Sequence, residues 1–170
     1  EMLRSLVGSE MCIRDRNVIC PSRELKVSLS MYDFTSFTGN NWNGWLPGAA
    51  ANGEMVYYSA FGKPCVANGT AYIGGIGAVL YKDFTGLQSG RTYEFSILAC
   101  ALNAAPVKPR LSLRANVAAV TPVTVFSEMA WKPLKGTFVA SATSMRLEIW
   151  SHEAQGTDGN DYGITDILVK

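Results

Sequence analysis

The segment SMRLEIWSHE, residues 144–153, alternates apolar and polar side chains. Successive side chains of a strand point to opposite sides, so Met145, Leu147 and Ile149 form one face and Arg146, Glu148, Trp150 and His152 the other. An indole beside planar, charged hydrogen-bonding groups can pack on an apolar ring face and bond its polar rim. The parts needed for catalysis are missing. Glycoside hydrolysis needs two carboxyl groups facing each other across a cleft, and Glu148 and Glu153 belong to no spaced motif of that kind. His152 is the single histidine, which excludes a multi-histidine zinc site. A triad would have to use it, and no G-x-S-x-G nucleophile elbow exists. YIGGIG, residues 72–77, lacks the Lys-Ser/Thr ending of a phosphate loop and reads as a turn or bulge. The sequence predicts a protein that is not an enzyme.

Other groups have chemistry to offer. Trp42 in NNWNGW, residues 40–45, is flanked by Asn40, Asn41 and Asn43; it reads either as a loop-end site or as a ring folded back over the core. In the closing stretch GTDGNDYGITDILVK, residues 156–170, Asp158, Gly159 and Asn160 read as a tight turn. Tyr162, Ile164 and Leu168 are expected on one face of the last strand.

These side chains must be positioned by strands. A chain of 170 residues, 48% hydrophobic and 17% charged, is expected to fold around one core. A formal net charge of +1 gives no field to draw nucleic acid. No apolar run reaches the roughly eighteen residues that cross a bilayer, so no membrane insertion is expected. Residues 1–16, EMLRSLVGSEMCIRDR, resemble a translated sequencing-adapter tail; they are set aside as an artefactual, disordered segment. The domain is taken as residues 17–170. Setting the tail aside leaves Cys20, Cys65 and Cys100, so at most one disulfide is possible, and Cys100 reads as a small buried side chain. Short alternating runs between Gly, Pro and Asn breaks give about nine strands: 25–31, 54–59, 76–84, 91–99, 110–115, 121–127, 131–139, 144–151 and 161–169. That pattern is all-β, a two-sheet antiparallel sandwich or jelly roll.

The succession GLQSGRTYEFSILA, PRLSLRA, WKPLKGTFVASATSMRLEIW and NDYGITDILV resembles the galactose-binding-like jelly-roll domains typified by bacterial carbohydrate-binding modules. The likeness covers most of residues 30–170. It implies that strands 91–99, 110–115, 121–127 and 144–151 share one sheet. The closing strand, 131–139, 76–84 and the N-terminal strand would share the other. It also implies a structural Ca²⁺ held by an N-terminal carboxylate, here Asp33, and by acids on the closing strand. There Thr165 stands in the place of the first acid and Asp166 in that of the second.

The same alternation puts Tyr93, Phe95 and Ile97 of 91–99 and Leu111 and Leu113 of 110–115 inside, and Glu94, Arg110, Ser112 and Arg114 outside. With that strand order, Glu94, Arg110, Arg114, Arg146, Glu148 and Trp150 lie on one outward face. Such a face suits a glycan or polysaccharide, with an aromatic ring for the sugar's C–H face and planar groups for its hydroxyls. The duller reading is a set of cross-strand ion pairs around a covered tryptophan. Trp45 and Trp131 are expected to pack. The resemblance makes the chain a non-catalytic carbohydrate-binding module, one domain of a larger secreted or cell-surface bacterial protein. The competing reading is a structural β-sandwich repeat of a surface adhesin or toxin, without a ligand of its own.

Overall fold

The computed structural model describes residues 31–70 and 75–170. The tail 1–16, Cys12, Cys20, nearly all of the strand expected over 25–31 and residues 72–74 of YIGGIG lie outside the described residues. Among the described residues twelve strands are present: β1 Asp33–Thr35, β2 Leu46–Pro47, β3 Met55–Ala60, β4 Lys63–Asn68, β5 Gly77–Thr85, β6 Thr92–Ala101, β7 Arg110–Ala115, β8 Ala118–Ala119, β9 Thr124–Val125, β10 Lys132–Val139, β11 Ser144–Ser151 and β12 Tyr162–Val169. They form two antiparallel sheets. One runs β10-β6-β12-β4-β3, with β1 also on β12; the other runs β2-β5-β11-β7-β8, with β9 also on β7.

The apolar faces read from alternation are the buried ones. Tyr93, Phe95 and Ile97 of β6, Leu111 and Leu113 of β7, and Met145, Leu147 and Ile149 of β11 all lie in the core. Trp45 is 1% exposed, stacked on Phe95 and edge-on to Phe84. Burying so large a ring contributes more than any aliphatic neighbour.

The sheet assignment drawn from the resemblance is corrected at two strands. β6 pairs with β10 and β12, whereas β5 pairs with β11. Alternation reports which side of a strand is apolar and says nothing about which neighbour it bonds, since any strand's backbone can join either sheet. Glu94 therefore leaves the expected site: it lies on the opposite sheet, bound by Lys135 at 2.8 Å and near Lys170 at 3.6 Å.

Three local departures have local causes. β4 was not expected; it follows β3 through the two-residue turn Phe61-Gly62, whose φ values of 46° and 79° suit a type I′ hairpin. The strand expected over 121–127 shrinks to Thr124–Val125, since Pro122 has no N–H for a ladder. In β12 the register skips between Thr165 and Leu168, with Asp166 at φ 48°. That bulge turns Ile167 and Val169 into the core and takes Leu168 off the face expected for it.

Cys65 and Cys100 are buried free thiols. Burial pushes them up to about 11 and about 12, far from the thiolate form. Asn68, formally the acceptor of an Asn-Gly-Thr sequon, is 1% exposed and donates to Tyr162 Oη at 2.8 Å. A glycan could not be attached there in the folded state.

Candidate ligand-binding face

The outer face of the β11 sheet is set by register. Arg146 lies opposite Asp83, Glu148 lies between Tyr81 and Arg114, and Trp150 lies opposite Ser112. His152 follows, its N–H donating to the Arg110 carbonyl at 2.8 Å. Five of the seven expected ligand-binding residues, Arg110, Arg114, Arg146, Glu148 and Trp150, thus stand on one face. Glu94 and Trp42 do not join them.

At one end the face is closed by ion pairing. Arg146 donates from Nε and Nη2 to the two Asp83 oxygens, each at 2.8 Å, and its guanidinium sits 4.4 Å from the Tyr81 ring centroid. That fork holds the Asp83 carboxyl below its ordinary range. A bidentate pair leaves Arg146 little capacity for a ligand.

The other end is open. Trp150 is half-buried and donates from Nε1 to Glu148 at 2.7 Å. The Arg114 guanidinium lies over the indole, 3.7 Å from its centroid, and the His152 ring lies 6.3 Å away. Ser112, expected to be exposed, is covered at 2%, hydrogen-bonded to His152 Nε2 at 2.8 Å. Burial, then the charges of Arg114 and Arg110, lower the His152 pKa below the ordinary 6.5, so the imidazole is neutral at pH 7. Among the described residues no carboxylate pairs with Arg110 or Arg114, and Arg114 Nε–H is buried without a partner. Glu153, next to His152 in sequence, accepts from the Gln155 N–H.

His152, Ser112 and Tyr81 were not among the expected site residues. The signal for His152 was its position two residues beyond Trp150, on the same side of the strand. Ser112 and Tyr81 are brought in by cross-strand register, which alternation does not reveal.

Trp42 folds back: it packs edge-on against Phe37 at 5.7 Å, touches the core and donates to Asn40 Oδ1 at 2.8 Å. Trp131 packs as expected, its Nε1 donating to the Ala60 carbonyl at 3.3 Å and its ring edge-on to Phe61. A concavity of about 540 Å³ lies on the opposite sheet among Val56, Tyr58, Phe61, Leu102 and Met129. Its acid, Asp161, already accepts from Thr70 and Asn103, so it offers a ligand a mostly apolar wall.

The calcium ligands implied by the resemblance do not fit a calcium cage. Asp33 accepts from Lys82 at 2.6 Å and from Asn43 at 3.2 Å; Asp166 accepts from Lys63 at 2.7 Å. The Thr165 hydroxyl donates to the Pro64 carbonyl at 2.7 Å, with the Ser36 carbonyl at 3.3 Å. Ammonium groups and a hydroxyl meet the oxygens that a hard cation would need. Among the described residues no three acidic, histidine or cysteine side chains gather as metal ligands.

The chain shares its fold with sugar-binding β-sandwiches of the galactose-binding-like, carbohydrate-binding-module type. The C-terminal domain of EclA, a sugar-binding protein, is 28% identical, with a TM-score of 0.61 over 81% of this chain and 98% of that one. The CBM22-1 xylan-binding domain of Paenibacillus barcinonensis Xyn10C is 15% identical, with a TM-score of 0.57 over 81% and 91%. The K3 cleaved adhesin domain of Lys-gingipain from Porphyromonas gingivalis is 13% identical, with a TM-score of 0.56 over 82% and 98%. No protein-family model matches the chain, and no curated protein does. Among the described residues no helix is long and apolar enough to cross a membrane.

Proposed function

We propose that this domain is a non-catalytic carbohydrate-binding module of a larger secreted or cell-surface bacterial protein, taking glycan on the outer face of the β11 sheet. The observation that carries the reading is the stacked pair of Arg114 and Trp150 beside His152, a planar, partly exposed surface with hydrogen-bonding edges. The likeness to the EclA domain and to xylan-binding modules supports it. One stacked aromatic contributes about 0.5 to 1.5 kcal/mol beyond burial, so affinity in the range of about 1 μM to 1 mM is expected. The arrangement of Asp33, Asp166 and Thr165 supports a domain that folds without calcium.

Glycan-array binding of the full chain, followed by calorimetry on Trp150→Ala, tests this. Binding is expected in the parent and lost in the variant, with the thermal transition retained. A parent that binds no glycan would leave the structural-repeat reading, which the likeness to the adhesin domain supports.

A further inference from the structure

The charges on the β11 face are unevenly matched. Of its three arginines, Arg146 is neutralised by Asp83. Arg110 and Arg114 stand at the other end, four residues apart in β7 and therefore on one side of it. Glu148 lies opposite Arg114 in register, yet its carboxylate accepts from the Trp150 indole. Glu153 is turned to the Gln155 backbone. His152 is hydrogen-bonded to Ser112 through its ring and to the Arg110 carbonyl through its N–H, and the charges of both arginines act on it to keep it neutral.

We infer that the glycan recognised here is acidic, carrying a carboxylate or sulfate that is received by Arg110 and Arg114 beside His152. The inference rests on the carbohydrate-binding reading above and deepens it. Guanidinium groups match planar anionic oxygens with paired N–H bonds. Arg114 is held by stacking on Trp150, with no hydrogen bond to the protein among the described residues; its Nε–H is buried, so the Nη groups and the charge are what remain for a ligand. Trp150 then has a second role as a positioning residue: its indole orients the Arg114 fork. A neutral sugar would leave two cations without an acid among the described residues; an acidic one supplies it. The chain's net charge of +1 offers little general attraction for polyanions, so the selectivity is local.

The test is affinity electrophoresis and calorimetry of the full chain against three sets of polymers. Polygalacturonate, alginate and glucuronoxylan carry carboxylates, carrageenan and dextran sulfate carry sulfates, and galactan, dextran and arabinoxylan are neutral. At least one acidic polymer is expected to bind about tenfold or more tightly than its neutral counterpart, the scale of one charge-assisted hydrogen bond. Which acidic set binds identifies the anion. Carboxyl reduction or desulfation of the bound polymer, Arg110→Gln and Arg114→Gln should each remove most of that advantage. Arg110 is exposed, so its variant reports on binding even if Arg114→Gln disturbs the fold. Equal binding of neutral and acidic polymers, with loss in Trp150→Ala, would overturn the acidic assignment and leave the module reading intact. Polyglutamate binding as tightly as the acidic glycan would overturn it as mere charge attraction. No binding to any polymer would overturn both readings.

Discussion

Thr165 shows how one side chain can change what a site holds. It is fully buried, and its hydroxyl meets the Pro64 carbonyl where the resemblance would place a carboxylate facing a cation. Asp33 and Asp166, each within 2.7 Å of a lysine ammonium, already have their counter-charge. A divalent ion would have to displace two lysines to gain two acids, and calcium takes six to eight oxygens. Chelation with EDTA is therefore expected to leave the midpoint of thermal unfolding unchanged, and added Ca²⁺ to raise it by less than about 1 °C, since a ligand stabilises only the state that binds it. A drop of several degrees on chelation, read by scanning calorimetry, would show a cation holding the fold.

The elements position the face by close approaches that tolerate few substitutions. Gly136 of β10 lies opposite Phe95, where an added Cβ would sit 2.3 Å from the Val120 carbonyl oxygen and 2.9 Å from its Cγ1. The segment after β8 thus closes onto β10 because that position has no side chain. Gly136→Ala is expected to cost about 2 to 3 kcal/mol, measured as a lowered denaturant midpoint at unchanged slope. An unchanged midpoint would mean that the 118–121 segment yields freely. The bulge at Asp166 works differently. It adds one residue between paired positions, so both Ile164 and Ile167 reach the core although they differ in parity.

At the scale of the molecule, charge and burial set the pH response. His152 is neutral in the fold, with Arg110, Arg114, Ser112 and Trp150 around it and Glu148 and Glu153 nearby in sequence, and its pKa is lowered from 6.5. The unfolded chain takes up this proton first, so stability falls as pH drops below about 6.5 and stops falling once the folded imidazole also protonates. Asp83 and Glu94, both held low by basic partners, add a second loss in the carboxylate range, below about 4.5. Unfolding midpoints taken from neutral to acid pH should show two descents, and His152→Gln should remove the first. A wild-type profile flat until the carboxylate range would contradict the environment assigned to His152.

Much of this was legible in the residues. Period-two alternation named the core faces of β6, β7 and β11 and put Arg110, Arg114, Arg146, Glu148 and Trp150 on outward sides, because burial selects apolar side chains at every second position. The Gly, Pro and Asn breaks marked most strand ends, because those residues accept backbone angles or lose donors that strands cannot. Tertiary structure alone decided which strands became neighbours. It moved Glu94 to the far sheet, set Arg114 on Trp150 and Ser112 under His152, and gave Asp33 and Asp166 to lysines. These are matters of long-range pairing, in which the same backbone donors and acceptors fit many partners and the choice rests on how the whole core packs.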